Sequence, residues 1–177
     1  MQFKMNRRTF ILPLLLAGFA RLGVPFASAE NSSKPEAVSV PAQAFSDAAD
    51  QALLAMNQRA GELKIKGAAV VAFFEGEGIT AWSSKMKVVG SMKNPPSGND
   101  HGSNLLSIAY AKATEMAETL KDSGHAGRPP MTGELGWEGG LIAKGKTGYC
   151  IAAFSGGPSA DDLRVSRTGL EVLTKAL

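Results

Sequence analysis

The chain has one cysteine, Cys150, two histidines, His101 and His125, two tryptophans and two tyrosines in 177 residues. A single cysteine excludes an internal disulfide, and with it any zinc or iron–sulfur site built from several thiolates. It stands in an apolar, strand-like run with no basic neighbour, where a free thiol behaves as a small buried hydrophobe. Long apolar runs are also missing. Phe10 to Ala20 falls short of the roughly 20 residues a bilayer needs and is followed closely by Arg21 and Pro25, so no stable membrane anchor is expected. What remains, 44% hydrophobic and 20% charged, is the composition of an ordinary globular domain.

An excess of positive charge is absent as well, once the N-terminus is set apart. Residues 1–29 read as an export signal: Lys4, Arg7 and Arg8, then an apolar stretch, then Ala27-Ser28-Ala29 as the cleavage site. Arg7-Arg8-Thr9-Phe10-Ile11 also fits the twin-arginine route, with an ordinary secretory signal as the alternative. This segment holds four basic residues and no acidic one. Of the 19 basic and 16 acidic residues, the rest of the chain therefore keeps 15 against 16, a formal charge of −1. No basic face is left for nucleic acid, and the expected location is periplasmic or secreted.

Residues 30–44 are polar with two prolines and read as a loose arm, which leaves 45–177 as the domain. Ala49, Leu53, Met56 and Ala60 predict a helix from Phe45, with Ser46 as its cap. Ala68 to Phe74 is apolar throughout, as in a strand covered on both faces. Its hairpin partner follows Gly76-Glu77-Gly78. Leu105, Ala109, Ala113, Met116 and Leu120 mark a second helix over 104–122. A second hairpin, 141–143 with 149–155, turns at Lys144 to Gly148, and a last helix, 159–175, carries Leu163, Leu170, Leu173 and Leu177. The order helix, hairpin, helix, hairpin, helix predicts an α+β fold, an antiparallel sheet flanked by helices. Two connections, 90–103 and 123–139, are long enough to be functional or disordered.

Gly140 to Thr147 has the letters of a phosphate-binding loop, but a phosphate cradle needs a helix to start at its Lys-Thr, and here another strand follows. Ser155 in Ala-Phe-Ser-Gly-Gly is a near miss for a nucleophile elbow, with no histidine downstream to act as base. Asp161 and Asp162 place negative charge at the last helix's positive end, which disfavours a bound anion. Ser159 with Asp162 reads instead as a capping box, and Gly156-Gly157 as the turn before it. The two histidines flank a helix about 28 Å long and so would not share one metal ion. Either alone remains a candidate axial ligand.

Ser107-Ile108-Ala109 with Lys112-Ala113, Gly139-Gly140, Gly148 to Gly157 (GYCIAAFSGG), Asp161-Asp162 and Gly169-Leu170 together resemble the GlcG/HbpS-like family of haem-binding, haem-degrading proteins. The likeness runs in residues from Leu105 onward and in pattern only through the first helix and hairpin. Ile142 stands where that family has a proline, and the loops here are longer. The resemblance implies a profilin-like sheet, assembly into homo-oligomers, and haem or a related tetrapyrrole as cofactor. Loop length and residue type then suggest His101 or His125 as the ligand to iron, Arg128 for the propionates, Trp137 as a stacking surface, and the turn Ser155, Gly156, Gly157 beside them. A cofactor-free oligomeric interaction module is one alternative. A small-molecule enzyme is another, although no acid–base pair is visible in the sequence.

Overall fold

The computed structural model describes residues 40–177. The export signal assigned to 1–29, and the arm as far as residue 39, lie outside the described residues.

Helix α1 spans Val40–Glu62 and begins earlier than expected. Pro41 falls in its first turn, where a missing N–H is harmless, and the alanines after it favour helix. Ser46 is therefore inside the helix and not its cap. The buried stripe is Phe45, Ala49, Ala52, Leu53, Met56 and Ala60. The helix ends where Lys64 turns left-handed (φ 58°) and Ile65 N–H donates to Ala60 O at 3.0 Å.

Strands β1 (Gly67–Glu75) and β2 (Ser83–Val89) form the first hairpin. Strands β5 (Gly140–Lys144) and β6 (Gly148–Ser155) form the second, closed by Gly145 N–H to Gly148 O at 2.7 Å. Thr147 therefore leads into a strand, which removes the phosphate-loop geometry. The sheet is antiparallel, in the order β2-β1-β6-β5. Inside the first long connection lies a ribbon that the sequence reading missed, β3 (Lys93–Asn94) paired with β4 (Ser103–Asn104).

The period of two in the central strands sorts their side chains into two cores. Ala69, Val71, Phe73, Cys150, Ala152 and Phe154 pack under α1 and α3. Ala68, Val70, Ala72, Phe74, Ile151 and Ala153 pack under α2. This is why β1 is apolar at every position. Cys150 is buried among these residues, and burial pushes its thiol up to about 11.

Helix α2 (Leu105–Thr119) starts at Asn104, whose side chain accepts from Ser107 N–H at 3.1 Å. It stops short of the expected Asp122. Leu120 adopts a left-handed conformation (φ 54°) and turns outward, 37% exposed, instead of completing the buried stripe.

Helix α3 (Ser159–Ala176) has Pro158 at its cap position and no side-chain cap, so the Ser159–Asp162 capping box does not form. Its inward face is Asp162, Val165, Ser166, Gly169 and Leu173, while Leu163 and Leu170 are half-buried. The stripe is rotated from the leucine pattern because two polar side chains, Asp162 and Ser166, find partners inside. The whole is a mixed α+β domain: one four-stranded antiparallel sheet with α1 and α3 on one face and α2 on the other.

Candidate functional site

The inward turn of Asp162 organises one end of the sheet. Lys112, on the alanine-rich face of α2, reaches across the end of β6. Its ammonium donates to Asp162 Oδ2 at 2.9 Å and to the carbonyl of Phe154 at 2.8 Å. Both side chains of the pair are only 4% exposed. Burial pushes the Lys112 amine down and the Asp162 carboxyl up, each opposed by the attraction of the other. Asp162 Oδ1 also accepts from Gly157 N–H at 2.9 Å. The carboxylate thus closes the Ser-Gly-Gly turn from within.

Gly139, with φ 129°, is what leaves room for this ammonium: a Cβ there would collide with Lys112 Nζ. Its carbonyl accepts from Ser166 Oγ at 2.7 Å and from Phe154 N–H at 3.1 Å. Gly156 answers a different need, since the space beside it is filled by the Lys66 carbonyl at the entry to β1. The glycine pair therefore serves close packing of the chain on itself.

A cleft of about 180 Å³ opens on the pair. Lys112 and Asp162 lie in it together with Ser155, the backbone of Gly156 and Gly157, and Trp137 from the second long connection. Leu105 and Ile108 supply apolar wall. Ser155 is buried, 5% exposed, at the edge of this cleft.

The second long connection is fastened from below by α2. The buried Glu115 carboxylate accepts from Gly124 N–H at 2.7 Å and from Gly136 N–H at 3.1 Å. Arg128 bridges Glu134 at 2.7 Å and Glu118 at 2.5 Å. That pairing raises the guanidinium's pKa and holds the Glu134 carboxyl down at about 2. Arg128 lines a separate small cavity of about 140 Å³ beside Glu115.

His125 stands on another face, at an open groove of about 440 Å³ with Leu120, Lys121, Asp122 and Ile142. Its ring is 61% exposed. Nδ1 lies 3.3 Å from the carbonyl of Ser123, so the tautomer protonated there donates to that oxygen and leaves Nε2 as the lone-pair nitrogen. Glu138 Oε1 is 3.8 Å from Nε2. An imidazole oriented through Nδ1, with leucine and isoleucine alongside, is a donor suited to haem iron. Among the described residues, no group of three or more His, Cys, Asp or Glu gathers as a metal cage.

The residues singled out in the sequence are thus divided. Trp137, Ser155, Gly156 and Gly157 share the cleft, His125 has the groove, and Arg128 its own cavity. His101 is exposed and lines neither the cleft nor the groove. The Lys112–Asp162 pair was missed. Its one signal was a lysine three residues after Ala109 and four before Met116, on the face that should be buried. No family model and no curated protein matches this chain. Among the described residues, no helix is long and apolar enough to cross a membrane.

Proposed function

We propose that the chain is an exported, periplasmic or secreted, haem- or tetrapyrrole-binding protein of the GlcG/HbpS-like type, with a profilin-like sheet and a homo-oligomeric assembly. The observation that carries the haem reading is the His125 imidazole, which lines an open groove with Nδ1 3.3 Å from the Ser123 carbonyl and Nε2 3.8 Å from Glu138 Oε1. In this reading His125 would hold the iron, Leu120 and Ile142 would supply apolar wall, and Lys121 would offer a cation to the group's carboxylates. The groove is within the range of small-molecule sites. Bound haem supplies a redox-active iron. Arg128, already paired with two carboxylates, plays a structural part.

Titrating the protein with haemin and recording the Soret band tests this. A saturable shift is expected in the wild type and in His101→Ala, with loss of the shift in His125→Ala. No saturable shift in the wild type removes the tetrapyrrole and leaves the cofactor-free interaction module. An unchanged shift in His125→Ala removes the ligand assignment.

A further inference from the structure

We propose that Lys112 is a nucleophile that condenses with a small aldehyde held in the cleft below the Ser155-Gly156-Gly157 turn. This goes beyond the tetrapyrrole reading: the cleft and the His125 groove share no lining residue.

Four observations converge on the cleft. A buried lysine lies on it, with two of its three donor positions occupied by Phe154 O and Asp162 Oδ2. Gly139, having no Cβ, lets that nitrogen sit against the backbone at the cleft's end. Ser155, which lines the cleft, offers a hydroxyl to a guest's oxygen. The volume, about 180 Å³, lies below the usual range of drug-sized ligand sites, which points to a small guest. Charge selects the chemical class. Lysine and aspartate sum to zero, so a carboxylate would meet Asp162 without compensation, whereas a neutral carbonyl with a short alkyl chain fits between Leu105 and Ile108.

The step balances with groups already in place. The ammonium passes a proton to Asp162, and the freed lone pair of Nζ attacks the carbonyl carbon. The carbon–oxygen π pair moves to oxygen, which takes the proton from Asp162. Asp162 recovers a proton from nitrogen and delivers it to the hydroxyl, which leaves as water. The product is a protonated imine paired with the Asp162 carboxylate, formed without oxidant or reductant. Burial favours the neutral amine, and Asp162 of α3 is the charged group that faces it. Glu115, on the same helix, turns instead to Gly124 and Gly136.

Propanal with sodium cyanoborohydride, followed by peptide mapping of the full chain, tests the proposal. An exposed amine with an ordinary pKa of about 10.4 is neutral in roughly 4 of 10,000 molecules at pH 7. Lys112 is expected to be fixed about tenfold or more faster than the exposed Lys87 and Lys175 at that pH. The advantage should grow as pH falls, disappear in urea, and shrink in Ser155→Ala. Lys112→Arg should lose the fast adduct while leaving the haemin titration unchanged. Equal labelling of Lys112 and the exposed lysines in folded wild-type protein overturns the proposal and leaves the haem reading untouched.

Discussion

Replacing Lys112 by methionine keeps the volume of the side chain and removes the charge that Asp162 faces. Asp162 would then keep its bond from Gly157 N–H but lie with its side chain 4% exposed and no counter-ion. Breaking a buried pair by removing one partner costs about 3–5 kcal/mol. For a domain of this size that is a fall of about 10–15 °C in Tm. Burial already holds the folded-state Asp162 carboxyl above its unfolded value of about 3.9, and removing the ammonium takes away the main attraction that opposes it, which raises it further. The native variant holds a proton that the unfolded chain has released. Its stability is therefore greatest below the unfolded pKa and is lost as pH rises through the folded one. Urea unfolding followed by circular dichroism should show a deficit relative to wild type that is full at pH 7 and small near pH 3.5. Lys112→Met/Asp162→Leu should return to within about 2 kcal/mol of wild type. A deficit below about 1 kcal/mol at pH 7, or one that does not change with pH, would refute the description of a buried, mutually dependent pair.

Gly139→Ala introduces a Cβ where φ is 129° and where Lys112 Nζ already sits; a loss of about 1–3 kcal/mol from backbone strain is expected, measured by the same unfolding curves. Cys150, with its thiol near pKa 11 and fully buried, should react with iodoacetamide at pH 8 about 100-fold or more slowly in native protein than in urea, and thiol counting against time checks this.

Much of the architecture was legible because apolar periodicity reports burial. The unbroken run Ala68 to Phe74 announced a central strand, and Gly145 to Gly148 announced a tight hairpin. The errors fall where a polar side chain goes inside or a terminus is set by the backbone. Asp162 looks like a helix cap because sequence spacing cannot tell a carboxylate that faces solvent from one that meets a lysine fifty residues earlier. Leu120 looks like the end of a stripe because a left-handed turn at leucine has no residue signature. The same limit scattered the site residues. Loop length drew attention to His125, Arg128 and Trp137, but Glu115 and Ser123, which divide that loop between separate faces, are ordinary polar residues until their backbone partners are known.

The assignment of the guest's seat to the α2 end of the molecule is tested most directly by two-dimensional amide NMR of the protein with sub-stoichiometric haemin. Paramagnetic broadening is expected to centre on residues 120–125, Glu138 and Ile142, with Ser155 to Ser159 least affected. Broadening centred on Trp137 and the Ser155 turn, or spread evenly over the sheet, would contradict it.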